Sequence, residues 1–237
     1  MIDFHSHILP EIDDGSQSVK ESITMLEEEY EYGVRKVMLT PHFYAQKDPF
    51  LQFEQRRADS LKCLLDAAEG SGRIPGMYVG AEVYYFPNIG SSGILPELCL
   101  SGTNIMLLEM PFSQWTEKIL DDVEKIVFEH KITLILAHIE RYYDFQRRKD
   151  IWREIFSMPL YAQINTGSFL NHKKRFCLKF IKSGHPVVLG SDCHNMMYRP
   201  PNLHLGREAI EKKLGKDKLH EIDMLGEKLL AKNEETG

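Results

Sequence analysis

Histidines and carboxylates recur in this sequence at the ends of short apolar runs. Eight such residues follow or end a run: His5, His7, His42, Glu82, Glu109, His138, Asp192 and His194. Imidazole and carboxylate groups are ligands of divalent transition metals. Any one of these histidines, taken singly, is more often an ordinary surface or core residue than a ligand. Repetition of the same arrangement along the chain favours a shared metal site.

The spacing of the first pair and the setting of the two glutamates support metal binding. Side chains alternate along an extended segment, so His5 and His7 project to the same side and can bind one ion. Glu82 and Glu109 each end a strongly apolar run, where a buried carboxylate is costly unless a cation or donors compensate it. Asp13-Asp14-Gly15, by contrast, is also typical of a simple turn.

Two arginines lie close to these candidates in the sequence. Arg141 follows His138 in the segment Ile139-Glu140-Arg141, and Arg199 follows His194 by five residues. The planar guanidinium group suits phosphate oxygens. An isolated arginine is more often part of a surface salt bridge. Their position next to proposed metal ligands favours phosphate binding.

Cys193 and Arg199 have the Cys-x5-Arg spacing of cysteine-dependent tyrosine phosphatases. That chemistry needs a nest of backbone N–H groups, commonly assisted by glycine, to bind phosphate and lower the thiol pKa. The residues between them include no glycine, and Pro200 and Pro201 lack N–H groups. We therefore interpret the match as accidental.

The elements that must position these residues alternate along the chain. Short β-rich apolar runs predict seven strands, at residues 2–4, 36–39, 77–83, 104–108, 133–137, 160–164 and 186–189. Helical spacing characterises two stretches between them, one with Val19, Ile23, Leu26 and Tyr30 and one with Ile119, Val123, Ile126 and Val127. Residues 86–101 predict an excursion without regular strands, and residues 224–232 predict a terminal helix.

Alternating strands and helices imply a largely parallel sheet, which is either doubly wound or closed as a barrel. We predict an α/β fold, a distorted seven-stranded βα barrel forming a single domain over residues 1–237. All strand carboxyl ends of such a barrel open onto one face. The candidate ligands are therefore expected to meet in one site.

Composition restricts the function classes. The chain has 237 residues, is 43% hydrophobic and carries a formal net charge of -6, which argues against a generally basic nucleic-acid-binding surface. No apolar run approaches the ~20 residues that cross a bilayer, and no secretory leader is evident. Four cysteines without a CxxC pair predict reduced thiols. We expect a cytoplasmic protein that does not insert into membranes.

Seven short motifs occur in the order HxH, DDG, TPH, GAE, LLE, AHxER and SDxH over residues 5–199. This order resembles the PHP (polymerase and histidinol phosphatase) superfamily, most closely the bacterial CpsB/CapC-type manganese-dependent protein-tyrosine phosphatases. The resemblance implies three bound ions, manganese in preference to iron or zinc. It implies nine ligands: His5, His7, Asp14, His42, Glu82, Glu109, His138, Asp192 and His194.

The same resemblance implies that Glu82 bridges two ions and that Arg141 and Arg199 bind the phosphate. Ile139 stands where the common AHPER motif has proline. The implied function is hydrolysis of phosphotyrosine by hydroxide that the metal ions make available. The implied partner is the tyrosine-phosphorylated tail of a bacterial kinase that controls capsular or exopolysaccharide synthesis.

Two alternatives remain open at this point. A histidinol-phosphate phosphatase or other small-molecule phosphatase would use the same metals with another pocket, and fold analogy cannot separate these substrates. A catalytically silent metal-binding regulatory module is the other alternative. The complete ligand set and the presence of both arginines argue against a catalytically silent protein.

Overall fold

Short parallel strands form the centre of the molecule. The structure is a computed structural model that describes residues 1–234, with side chains through residue 232. Within that range there are nine strands: β1 (Ile2–Ser6), β2 (Lys36–Leu39), β3 (His42–Phe43), β4 (Gly76–Val79), β5 (Glu82–Tyr84), β6 (Ile105–Glu109), β7 (Thr133–Leu136), β8 (Tyr161–Asn165) and β9 (Val187–Gly190).

The strands close into a barrel. One sheet has the order β1-β2-β4 and the other β3-β5-β6-β7-β8-β9. The first and last strands are joined by backbone hydrogen bonds, from Asp192 N to the His5 carbonyl at 2.8 Å and from His7 N to the Cys193 carbonyl at 2.9 Å. The chain passes directly from β2 to β3 and from β4 to β5, which joins the two sheets. The strand pairings therefore run around a complete ring. The predicted α/β barrel class is confirmed.

The division into strands differs from the prediction. The predicted strand 77–83 is two strands, β4 and β5, and the two-residue strand β3 was not predicted. Pro41 interrupts the ladder between β2 and β3 because it has no N–H to donate. Its carbonyl oxygen accepts a hydrogen bond from Glu82 N at 3.0 Å instead. These breaks place His42 and Glu82 at the beginning of new short strands.

Helices cover the outside of the barrel. They are α1 (Val19–Glu31), α2 (Phe50–Ala68), α3 (Glu117–Glu124), α4 (Asp150–Ile155), α5 (Lys174–Lys182), α6 (Leu203–Leu214) and α7 (Lys216–Glu234). The Ser18 side chain caps α1 by accepting a hydrogen bond from Glu21 N at 3.2 Å. A π-helical turn, Lys125–Glu129, extends α3. The predicted excursion at residues 86–101 contains two 3-10 turns and no strand.

Apolar side chains fill and close one end of the barrel. Ile2, Phe4 and Val188 form a buried cluster with Leu229 and Leu230 of α7. This helix includes the predicted terminal helix but begins eight residues earlier. Among the described helices, none contains an apolar stretch long enough to cross a membrane. With α7 at one end, the carboxyl end of the strands is left to form a polar site.

Candidate metal centre

The nine predicted ligands lie together at the carboxyl end of the barrel. Four groups each bring potential ligand atoms within 4.8 Å of one another: His7, Asp14, His42 and His194; His5, Glu82 and His138; His5, His7 and Asp192; His42, Glu82 and Glu109. His5, His7, His42 and Glu82 each belong to two groups. The groups are therefore parts of one continuous centre that is large enough for more than one ion.

The middle of this centre brings lone pairs together. His5 Nε2 and His7 Nε2 lie 3.1 Å apart. Glu82 Oε2 lies 3.2 Å from the first and 3.3 Å from the second. Asp192 Oδ1 lies 3.6 and 3.5 Å from the same two nitrogens. All four side chains are buried, and a cation among them would compensate the cost of removing them from water.

Glu82 lies at the junction of the groups. Its Oε1 is 2.8 Å from His138 Nε2, and its Oε2 is 2.9 Å from His42 Nδ1. Glu82 Oε2 and His42 Nδ1 are buried, and neither makes a hydrogen bond within the described residues. Burial opposes ionisation, yet the neighbouring imidazoles, His5 foremost, lower the pKa of Glu82 well below its ordinary value. The carboxylate is thus held ionised and able to bind a cation.

Glu109 completes the carboxylate side of the centre. Its Oε1 lies 3.5 Å from His138 Nε2. Burial, followed by the charge of Glu82, raises the pKa of Glu109 to about 8. Burial also lowers the pKa of His138 to about 4, so its imidazole is neutral and able to bind a metal at neutral pH. A cation beside Glu109 would favour its ionised form, so this carboxyl and the neutral imidazole of His138 fit a divalent ion.

Three acceptors orient the imidazoles through their Nδ1 atoms. Asp13 Oδ2 lies 2.8 Å from His7 Nδ1, and Gln163 Oε1 lies 3.1 Å from His5 Nδ1. The Asp192 carbonyl oxygen lies 3.1 Å from His194 Nδ1. An acceptor at Nδ1 holds the proton there and leaves the Nε2 lone pair for a metal. Neither Asp13 nor Gln163 was predicted as a site residue.

An amide network connects the two sides of the centre. Gln163 Oε1 also accepts a hydrogen bond from His138 N at 2.6 Å. Gln163 Nε2 donates to Asn165 Oδ1 at 2.8 Å, and Asn165 Nδ2 donates to Asp192 Oδ2 at 2.6 Å. Both amides belong to β8, the predicted strand that supplied no candidate ligand. Their spacing of two residues within an apolar run was the signal that could have identified them.

The DDG segment is both a turn and part of the site. Gly15 lies so close to the preceding segment that a Cβ there would be 2.2 Å from the His7 carbonyl oxygen. Only glycine permits this approach. The turn leaves Asp14 exposed, with its Oδ1 3.5 Å from His42 Nε2 and 3.6 Å from His194 Nε2. Asp14 thus lies at the mouth of the centre.

Two site residues have left-handed backbone conformations. His138 has φ of 28° and Asp192 has φ of 54°. Such values are uncommon for residues other than glycine and persist only where the surroundings hold them. The backbone N–H of each is held by a hydrogen bond, from His138 to Gln163 and from Asp192 to the His5 carbonyl. Residues with strained backbones are concentrated at functional sites in proteins.

Arg141 and Arg199 converge at the mouth. Arg141 binds Asp192 Oδ2 at 2.5 Å, and Arg199 binds Asp192 Oδ1 at 2.7 Å. Their side chains are 38% and 39% exposed, so both are accessible to a ligand. Ile139, which replaces the proline of the common motif, is buried and begins the single 3-10 turn that carries Arg141. The turn brings Arg141 to the site with isoleucine in this position.

Cys193 lies outside the centre, in a second buried cluster with Asp3 and Glu29. Its side chain is fully buried, and burial raises the pKa of the thiol well above its ordinary value. Both features are the opposite of what a nucleophilic thiolate needs. The structure therefore agrees with the interpretation that the Cys-x5-Arg spacing is accidental.

Fold and site together define a class: an α/β barrel whose strand ends bring imidazoles and carboxylates into one candidate multinuclear metal centre, with two arginines at its mouth. The chain belongs to the CpsB/CapC family, described as "Capsular polysaccharide synthesis, CpsB/CapC", whose pattern matches residues 1–230. The family resemblance expected from the motifs is confirmed.

Relatives of this chain carry the same family name. It is 30% identical over 244 residues to the tyrosine-protein phosphatase CpsB of Streptococcus agalactiae serotype III (strain NEM316), covering 98% of this chain and 99% of that protein. It is 31% identical over 232 residues to the tyrosine-protein phosphatase CpsB of Streptococcus pneumoniae, covering 94% of both.

Solved structures show the same fold. A crystal structure from work on YwqE of Bacillus subtilis and CpsB of Streptococcus pneumoniae, described as metal-dependent tyrosine phosphatases, has a TM-score of 0.85 at 21% identity. It covers 98% of this chain and 95% of that one. The phosphotriesterase homology protein of Escherichia coli has a TM-score of 0.56 at 12% identity and covers 92% and 93%.

Proposed function

We propose that this chain is a metal-dependent protein-tyrosine phosphatase, with residues 1–237 acting as one catalytic domain. The observation that carries the proposal is the joint placement of two accessible arginines and nine residues with potential nitrogen and oxygen ligand atoms at one barrel mouth. Near full-length similarity to proteins named tyrosine-protein phosphatase supports the same activity.

The ligand set proposed is the nine residues that converge at the strand ends: His5, His7, Asp14, His42, Glu82, Glu109, His138, Asp192 and His194. Imidazole and carboxylate without thiolate suit manganese, iron or zinc, and we propose three manganese ions, two of which would share Glu82. When bound, such ions would lower the pKa of a water and neutralise charge on the phosphoryl oxygens.

The arginines would bind the phosphate. Each guanidinium group pairs with an oxygen of Asp192. A phosphate ester offers both arginines further charged acceptors in the geometry that guanidinium prefers. Arg141 and Arg199 would then hold the phosphoryl group over the centre and stabilise its charge during transfer.

The family description guides the proposals for the partner and the location. We propose that the substrate is a phosphotyrosine in the flexible tail of a bacterial tyrosine kinase that controls capsular or exopolysaccharide synthesis. The capsule description of the family supports this choice. We propose a cytoplasmic location, which suits the four free cysteines.

The test compares kcat/KM for a phosphotyrosine peptide, the same peptide with phosphoserine, and histidinol phosphate, at equal manganese. We expect a strong preference for phosphotyrosine, because phenolate is a better leaving group than an alkoxide. Chelation, followed by elemental analysis, should remove activity and metal together. Preference for histidinol phosphate, or full turnover by protein shown to be metal-free, would overturn the proposal.

A further inference from the structure

A phenylalanine ring lies between the metal centre and the surface. Phe112 follows the ligand Glu109 by three residues and is 40% exposed. Its ring stacks on that of His138, with centroids 6.2 Å apart and planes 18° apart. His138 in turn stacks on His5, with centroids 5.6 Å apart and planes 30° apart. The three rings form a series that leads from the buried ligands to the mouth.

Two other aromatic side chains pack against Phe112. Its ring centroid lies 5.2 Å from that of Tyr142 and 6.1 Å from that of Phe145. Tyr142 is fully buried, and its hydroxyl accepts a hydrogen bond from Met110 N at 3.0 Å, within the segment that carries Phe112. An exposed apolar side chain is not unusual in itself. An exposed ring packed against Tyr142 and Phe145 beside the candidate metal centre is a preformed surface for binding.

Aromatic rings also stand next to the ligands on another side of the centre. Tyr44 follows the ligand His42, and their ring centroids are 5.1 Å apart. Tyr44 also contacts Tyr84 at 5.6 Å. Both tyrosines carry a polar hydroxyl, whereas Phe112 offers only an apolar face. The part of the mouth next to Glu109 and His138 therefore offers a flat apolar group a ring without a hydroxyl.

We propose that Phe112 is the platform on which the phenyl ring of phosphotyrosine stacks while Arg141 and Arg199 hold the phosphate. This inference rests on the proposed function and adds the residue that selects aryl over alkyl phosphate esters. Offset or edge-to-face packing of two rings stabilises a complex beyond the apolar area that it buries. The short phosphoserine side chain has no ring with which to make this contact.

The experiment measures kcat/KM of the full-length, manganese-loaded protein for a phosphotyrosine peptide and for β-glycerophosphate, an alkyl ester. In Phe112→Ala we expect a fall of about tenfold with the phosphotyrosine peptide and less than about twofold with the alkyl ester. Phe112→Leu should behave like the alanine variant, because it keeps apolar volume without a ring. Phe112→Trp should retain the aryl preference.

Phe128→Ala is the matched control, because Phe128 is also an exposed phenylalanine, 57% exposed, on the outer π-helical turn. It should leave both rates unchanged, and metal content should be equal in all variants. A wild type without preference for the phosphotyrosine peptide would reject the proposed function itself. In a second case the wild type prefers the phosphotyrosine peptide, and Phe112→Ala keeps that preference or loses activity equally toward both esters. Either result in the variant would overturn the platform role of Phe112 and leave the proposed function standing.

Discussion

Replacement of Gln163 by methionine tests whether the amide network builds the metal centre. Gln163 is fully buried and makes three hydrogen bonds, to His138 N at 2.6 Å, His5 Nδ1 at 3.1 Å and Asn165 Oδ1 at 2.8 Å. Methionine keeps the volume of the side chain but offers no comparable acceptor or donor. His5 would lose the acceptor that holds its proton on Nδ1. His138 would lose the acceptor of its backbone N–H, at a residue with a strained backbone.

These contacts predict a change in the free energy of unfolding and a separate change in metal affinity. A buried hydrogen-bonding group left without its partner costs about 1–3 kcal/mol, so loss of this network should lower the free energy of unfolding by about 2–4 kcal/mol. Removal of a residue that orients a ligand typically costs 10- to 100-fold in metal affinity or activity. That range corresponds to about 1.4–2.7 kcal/mol of binding free energy.

The assay separates the two effects. Urea unfolding of metal-free protein gives the stability, and manganese titration of the folded protein gives the affinity. Gln146→Met is the control, because Gln146 is also buried and makes bonds of the same kind, to Trp115 N at 3.0 Å, Gln114 Nε2 at 3.1 Å and the Ser113 carbonyl at 2.9 Å. It should lose similar stability and keep its manganese affinity. Equal manganese affinity in wild type and folded Gln163→Met would refute the reasoning.

Three further predictions concern the arginines, the buried thiol and the second carboxylate cluster. Arg141→Ala and Arg199→Ala should each lower kcat/KM for phosphotyrosine by about 10²-fold. Elemental analysis should find the metals retained, because arginine is not an ordinary metal ligand. Wild-type kinetics in both variants would show that neither arginine belongs to the site. Cys193→Ser should stay active whereas His7→Ala and Asp192→Ala should not, and a trapped phosphocysteine in wild type would contradict this. Burial and the Asp3 carboxyl raise the pKa of Glu29 well above its ordinary 4.5, so the native state binds this proton more tightly than the unfolded state. Its contribution to stability is present below pH 4.5 and is lost as pH rises above it. Glu29→Gln should therefore lose less stability between pH 5 and pH 8 in urea unfolding, and an unchanged slope would contradict the assignment.

The convergence of the ligands could be predicted from the sequence because it depends on local rules. His5 and His7 share a side because side chains in a strand alternate. Glu109 and His138 meet because neighbouring parallel strands present their carboxyl ends to one face. Neither inference required knowledge of which helix packs where.

The residues that orient the ligands could not be predicted in the same way. Gln163 and Asn165 matter because of what lies opposite them across the barrel, which only the closed ring determines. The helical spacing of residues 19–30 correctly predicted α1 but did not identify its buried face. Of the predicted stripe Val19, Ile23, Leu26 and Tyr30, only Leu26 is fully buried, whereas Ser22, Met25 and Glu29 face inward. Glu29 faces inward toward Asp3 and Cys193, a polar contact that apolar periodicity cannot reveal.

Closure of the barrel between β1 and β9 makes the proposed metal centre a late product of synthesis. Three of its proposed ligands lie within the first fourteen residues of the chain, and two more lie at residues 192 and 194. The segment that carries His5 and His7 can therefore complete the site only after Asp192 and His194 have been synthesised. Contacts between such distant parts of a chain form slowly, because the loop between them must first be closed. Ion uptake at a complete centre can only follow translation of the last strand.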